Sequence, residues 1–481
     1  MSRASSFPAA TSLANEELPP QPSWPATFVV LVGFVLTSAT LRGNTPSELA
    51  QTAAMGTGLS LSLFGLVEIR RSRQNLLRAD LVCMAALYYL LFLEFLFPQP
   101  QFDEMARLGE VEPAIQVALG SMAAMALGRH CVSTRVRRWR LVGMYLPPSS
   151  LLFLYWASFA VGYFHMLWAV DFNPMEMVRH FLGPRFSAPW QRGQFGDAAA
   201  LLYELGATIY LVPPLAGIIL ARRRLYSRLQ IFVALFGALF TFFYGFTTGT
   251  RSIMGAYLIT FTVAYYYAST RSRREIIALG SLVGAVMLAS TVIGLEFRNI
   301  GVRAYLDDRS RSGPADRSFF VDYNLYTISQ LVAVFPSRFP YLGWDVPEWV
   351  LVRVVPRALW PGKPNGERIS PQTYVDVSEG TTLATTFIGE SYMGAGPLGA
   401  VVAGFALGFL AMWWTRKTFS TRSDFGILLY GSGFFAVVIT MRSLYMLPVA
   451  ILPTIAVAMV GFFLVRRHPA RVGVSPQPRR A

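Results

Sequence analysis

Apolar and polar positions alternate along this chain in whole segments, not on helix faces or strand pleats. Runs of about 20 mostly apolar residues, the length that crosses a hydrocarbon core, fall near 25–41, 49–69, 80–97, 113–128, 149–170, 199–220, 229–249, 252–269, 276–295, 385–414, 425–441 and 445–465. Most are separated by short polar or basic stretches. The pattern predicts an all-α polytopic integral membrane protein with about 12 transmembrane helices. A polar, Pro-rich tail (1–24) precedes the first span. That tail has no basic n-region and no clean small-residue cleavage site follows, so the first helix is expected to be retained. Residues 25–295 then hold spans one to nine, 296–384 a large loop, 385–465 the last three spans and 466–481 a basic tail. No internal repeat suggests the inverted halves of a transporter.

Composition agrees with that pattern. Of 481 residues, 53% are apolar and 14% charged, against roughly 25% charged in a soluble domain. The two cysteines, Cys83 and Cys131, form no disulfide framework and no metal-ligand spacing. The net charge is +15, and all but two of the 42 basic residues are arginine. A nucleic-acid binder would gather that charge on one soluble face. Here it lies in clusters between apolar runs: Arg70 to Arg73, Arg135 to Arg140, Arg222 to Arg224, Arg271 to Arg274, Arg416-Lys417 and Arg466-Arg467. Read by the positive-inside rule, these clusters are expected to place both termini and every basic loop on the cytoplasmic side of the membrane.

Two outer connections are long. Residues 171–198 form the first. The second, 296–384, carries recurrent aromatics that argue for order; Ile328 to Phe335 reads as helical, and Val346 to Val355 as a segment lying along the interface or re-entering the membrane. The outer face also gathers cations: Arg179, Arg185, Arg192, Arg251, Arg298, Arg303, Arg357, Lys363, Arg368 and Arg442. Guanidinium groups pair in two-pronged fashion with phosphate or carboxylate. Four of them stand at or near helix ends, where a charge is cheap only beside a wet cavity or a polar ligand; snorkelling to lipid headgroups is the competing account. Glu390, where the large loop enters the tenth span, is expected to act as a general base or to pair with one of these arginines.

Other signals are weaker. Gly394 to Gly399 fits G-x-G-x-x-G, but Pro397 occupies the loop and no strand precedes it, so a bend into the helix is expected. Gly404 and Gly408 mark close helix packing. The four histidines (His130, His165, His180 and His468) are scattered, which excludes a histidine-cluster metal site. Asp307-Asp308, beside Arg309 and Arg311, reads as a solvated charge cluster. No metal and no cofactor are expected.

Three stretches carry a resemblance. Phe246-Thr247-Thr248-Gly249-Thr250-Arg251-Ser252, running straight into another span, resembles the G-[ST]-R junction of Wzy-type O-antigen and exopolysaccharide polymerases. Val355 to Pro364, with Pro356-Arg357 and Trp360-Pro361-Gly362-Lys363, resembles the late part of that family's large outer loop. Phe387 to Tyr392, leading on to Gly399, resembles its entry to the next span. Together they cover about residues 190–445.

The resemblance implies a metal-independent membrane glycosyltransferase that polymerises undecaprenyl-diphosphate-linked oligosaccharide repeat units at the periplasmic face. Glu390, Arg251 and Arg357 would be catalytic. Arg192, Arg298, Arg303, Lys363 and Arg442 would hold the diphosphate. Trp190, Tyr323, Tyr326, Trp344 and Trp360 would stack on sugars. Implied partners are the lipid-linked oligosaccharide, the bilayer, a chain-length regulator and a flippase, with no nucleic acid. An O-antigen ligase or other lipid-linked-sugar glycosyltransferase is the alternative, although ligases use a histidine in the large loop and this loop has none. A transporter of a polysaccharide intermediate fits less well, because mid-span charges are scarce; Glu94 and Glu204 lie inside spans or near their ends.

Overall fold

Ser23, Thr45, Ser227 and Ser423 each cap a helix, their hydroxyls accepting from the amides of Ala26, Glu48, Gln230 and Gly426. These caps start apolar runs in which no strand-forming alternation competes. The computed structural model describes residues 19–467, apart from 135, 145, 185–186, 191–199, 270–272, 299–300, 309–323, 356–359, 361, 365, 376–383 and 422. Its helices are α1 (Trp24–Ala39), α2 (Pro46–Arg71), α3 (Ala79–Leu91), α4 (Pro100–Met105), α5 (Leu108–Gly128), α6 (Pro148–Ala169), α7 (Pro174–Leu182), α8 (Ala200–Leu205), α9 (Val212–Ala221), α10 (Arg228–Thr247), α11 (Arg251–Ala268), α12 (Arg273–Arg298), α13 (Val302–Asp308), α14 (Asn324–Val334), α15 (Asp345–Val352), α16 (Thr386–Thr418), α17 (Asp424–Arg442), α18 (Leu447–Ala450) and α19 (Leu452–Arg467). Among the described residues there is no strand.

Each of the twelve apolar runs coincides with helix. Among the described residues seven stretches are long and apolar enough to cross a membrane: α2, α5, α6, α10, α16, α17 and 444–463. Three expected spans are interrupted. Residues 199–220 divide into α8, a 3-10 stretch Gly206–Leu211, and α9. Pro213 and Pro214 supply no amide to the preceding turn, which therefore tightens. Pro448 and Pro453 open α18 and α19 in the same way. The third run ends its α-helix at Leu91 and finishes as the 3-10 turn Leu93–Leu96.

α17 is the axis of the bundle, buried along nearly its whole length and packed by α3, α9, α11 and α16. α16 lies along α5. A Cβ at Gly404 or Gly408 would fall 2.3 and 2.1 Å from the carbonyl oxygens of Ser121 and Met125, so only glycine permits this approach. The expected bend is present: Ala395 and Gly396 leave helical geometry, Gly396 with φ of 62°, just before Pro397. Outward-facing Phe28, Phe153, Leu229, Phe232, Phe236 and Phe462 leave an apolar surface suited to lipid.

The basic end carries a feature the charge pattern conceals. Arg78 bridges Glu68 (3.0 Å) and Asp80 (2.7 Å), and Arg129 bridges the same two acids at 3.0 and 3.2 Å. Two cations and two acids, all buried, clamp α2, α3 and α5 together. α1 joins through the Ser23 amide on Glu68 and through Arg129 on the Ser23 carbonyl and the Thr27 hydroxyl. His130 stacks on Trp24 at 3.8 Å and shares a hydrogen bond with Thr27.

Candidate functional site

At the opposite end, helices far apart in sequence bring a run of polar side chains together. Glu94 lies in the turn that closes α3, and Arg251 is the first residue of α11. Arg251 Nη1 lies 3.0 Å from Glu94 Oε2, both side chains are buried, and the guanidinium sits 5.5 Å from the centre of the Tyr89 ring. The neighbouring Ser252 hydroxyl accepts from Arg442 Nη1 at 3.3 Å, at the end of α17. The next residue, Ser443, donates its hydroxyl to Glu390 Oε1 at 2.5 Å. Glu390 Oε2 accepts from the amides of Leu444 (2.6 Å) and Tyr445 (3.3 Å). Glu94, Arg251, Ser252, Arg442, Ser443 and Glu390 thus form one continuous line across α3, α11, α17 and α16.

Parts of residues 324–375 pack beside this line. Asn324 at the start of α14 donates to the Leu90 carbonyl (2.8 Å), and Gln330 to Glu110 (2.8 Å). The amides of Leu342 and Gly343 donate to the carbonyls of Met393 and Gly394, both at 2.9 Å, beside the α16 bend. Val346, Ile369 and Tyr445 pack together, and the Tyr445 hydroxyl reaches the Ile369 carbonyl at 3.3 Å.

Several expectations change on this geometry. Arg251 neither snorkels nor waits for a ligand: it is 2% exposed and engaged with Glu94. Glu390, 5% exposed, is held by a hydroxyl and two helix-start amides instead of by an arginine hydrogen bond, although the charge of Arg353 acts on it. Lys363 donates to the carbonyls of Arg353 (3.0 Å) and Val355 (2.9 Å) and lies over Trp349, which makes it a brace of its own loop.

Trp190 is 6% exposed, set edge-on to His180 and Phe181, so its ring offers no open face to a sugar. Tyr326 is half-buried against the main core. Arg303 is exposed on α13, and Trp344 and Trp360 are exposed, Trp344 at 83%. Arg192, Arg357 and Tyr323 lie outside the described residues, as does the side chain of Arg298, whose backbone closes α12.

Glu94 was legible only as an acid in an apolar run; its partner stands 157 residues away. Ser443 and Arg353 carried no signal, being ordinary residues in polar junctions, and Ser252 entered only as the last residue of the Phe246–Ser252 junction. Among the described residues no group of three His, Cys, Asp or Glu side chains converges to hold a metal ion.

Residues 299–466, from the end of α12 to the end of the last helix, match a family described as a domain of unknown function (DUF8712). That stretch contains Glu390, Arg442, Ser443, Arg353 and Lys363, while Glu94 and Arg251 lie before it. No curated protein and no solved structure matches the chain.

Proposed function

We propose that this chain is a repeat-unit polymerase of the Wzy type, with twelve spans, both termini in the cytoplasm and residues 296–384 on the periplasmic side. It would join undecaprenyl-diphosphate-linked oligosaccharides into O-antigen, capsule or exopolysaccharide. The observation that carries the reading is the line from Glu94 to Glu390. Four helices converge to place two arginines and two carboxylates at one end of the bundle, beside the described parts of residues 324–375.

In the proposed reaction a hydroxyl of the incoming unit attacks the anomeric carbon of the growing chain. A glycosidic C–O bond forms as the bond to the lipid diphosphate breaks, and the diphosphate leaves with the bonding electron pair. The hydroxyl proton passes to Glu390. Of the donors on that carboxylate only the Ser443 hydroxyl rotates freely, so the acceptor hydroxyl takes its place on Oε1 while the two amides hold Oε2. Arg442, with Arg192, Arg298, Arg303 and Arg357, is assigned to the leaving diphosphate, whose developing charge needs fixed donors. Arg251 and Lys363, already committed to protein acceptors, act by holding the α11 start and the outer loop in position.

The test is reconstitution of purified protein in vesicles with one lipid-linked repeat unit. A ladder of longer lipid-linked products supports the reading. Transfer to a different acceptor without a ladder would make it a ligase, and movement of the intact unit across the bilayer a transporter.

A further inference from the structure

α15 presents an apolar stripe to the outside. Trp344, Pro347 and Leu351 are all exposed and lie at the i, i+3 and i+7 positions of one helical face, with the exposed acid Glu348 at i+4 beside them. Trp344 is 83% and Leu351 73% exposed, and Val354 continues the stripe. The opposite face is spent: Val346 is buried against Ile369 and Tyr445, and Trp349 and Val350 are partly buried beside them. A one-turn-wide apolar face of this kind is costly in water.

Its height relative to the bundle follows from the α16 bend. Residues 397–418, beyond the bend, extend about 33 Å at ~1.5 Å per residue, close to the ~30 Å of a hydrocarbon core. The basic pair Arg416-Lys417 closes the far end of that stretch. The pairing with α5 gives the same level independently. Gly404 abuts Ser121 and Gly408 abuts Met125, a register that sets the bend beside Pro113, just past Glu110 and Glu112. The bend therefore stands at the outer boundary of the apolar layer. α15 is fastened to it, through Leu342 and Gly343 on the carbonyls of Met393 and Gly394 and through Val346 packed on Gly394. Immediately past the bend, α16 turns Leu398, Val401, Val402 and Phe405 outward, which makes the exposed face of α15 continuous with an apolar wall of the bundle.

We infer that α15 is an interfacial helix, lying in the plane of the outer leaflet with Trp344 and Leu351 seated among lipid headgroups and upper acyl chains. Trp at this level is the residue that interfaces favour, and a short helix with one apolar face is the element that lies on a bilayer rather than crossing it. The inference does not depend on the reaction proposed above, only on the membrane orientation proposed with it. It does assign Trp344 to lipid instead of to a sugar.

The test uses the full chain in nanodiscs of phosphatidylethanolamine and phosphatidylglycerol. A nitroxide is placed at Leu351→Cys or, should that variant not fold, at Trp344→Cys, each with Cys131→Ser; Cys83 is buried and does not label. The native exposed Cys131 supplies a water-side reference and Val402→Cys a lipid-side one. Collision with oxygen and with a water-soluble nickel chelate is then compared. Oxygen-rich, nickel-poor collision at a depth shallower than Val402 supports the inference. Nickel collision equal to that at Cys131 overturns it, because the stripe would face water. A label shielded from both reagents also overturns it, because protein would cover the stripe.

Discussion

Replacing Glu390 by Gln separates chemistry from architecture, and the structure sets the size of each effect. The carboxylate accepts three hydrogen bonds, from the Ser443 hydroxyl and the Leu444 and Tyr445 amides. In Glu390→Gln the amide oxygen keeps the two main-chain donors, and the amide nitrogen donates to a rotated Ser443 hydroxyl. Three charge-assisted bonds become three neutral ones, a loss of roughly 1 kcal/mol each against a usual reserve of about 5–15 kcal/mol. The variant should therefore fold. Loss of a general base lowers turnover by about two to four orders of magnitude, about 2.7–5.4 kcal/mol in the barrier. Product ladders and thermal unfolding are measured on one purified sample in nanodiscs. Ser443→Ala is the companion: it frees Oε1 and should keep turnover within about tenfold of wild type. If Glu390→Gln turns over within about threefold of wild type at an equal folded fraction, the carboxylate is a helix cap and nothing more.

Three further outcomes follow from other parts of the molecule. Arg251→Ala leaves Glu94 buried without its cation and should cost about 3–5 kcal/mol, read as lost folded protein in the membrane; the double variant Glu94→Gln/Arg251→Met should recover abundance, and normal abundance in the single variant would mean the pair is not structural. Reporter fusions at Arg273 and Asp316 should register cytoplasm and periplasm, and a cytoplasmic Asp316 removes the proposed reaction face. His130 is held down to about 4 by burial and by the Arg129 charge, below its ordinary value of about 6.5. The folded state thus binds fewer protons there than the unfolded one, and stability present above the ordinary value is lost as pH falls toward the folded one. Wild type should lose more melting temperature between neutral pH and pH ~4.5 than His130→Phe, which keeps the ring stack on Trp24; parallel losses would assign the acid sensitivity elsewhere.

What the sequence shows and what it hides divide along a physical line. Apolar runs, the Gly394–Pro397 bend and the Gly404–Gly408 approach are local properties, written within a few residues of where they act, and all have structural counterparts. The interruptions at Pro213-Pro214 and Pro453 are local too, but a run of apolar residues masks them because hydropathy ignores the missing amide. Partnerships are different. Arg78 and Arg129 look like members of basic loops, and Glu68 like the polar end of a span. Only the packing of α2, α3 and α5 makes them one closed cluster. Arg251 reads as a charge facing a wet cavity or a polar ligand, yet it is buried against Glu94, a partner set by how the end of α3 meets α11.

The two ends of the bundle use buried charge in different ways. At the basic end two acids meet two arginines, every charge has a counter-charge, and main-chain atoms of residues 21–23 close over them. Such a cluster serves to lock four helices. Along the opposite line Arg251 is matched by Glu94, but Glu390 is satisfied by neutral donors. Arg442 donates to a neutral hydroxyl, and Arg353 adds its charge nearby. Arg251, Arg442 and Arg353 thus stand with Glu94 and Glu390 close to the α16 bend. On the proposed reading, that difference, more than any single residue, is what sets a lipid-linked diphosphate at the end that holds Glu390 and not at the end already closed by ion pairs.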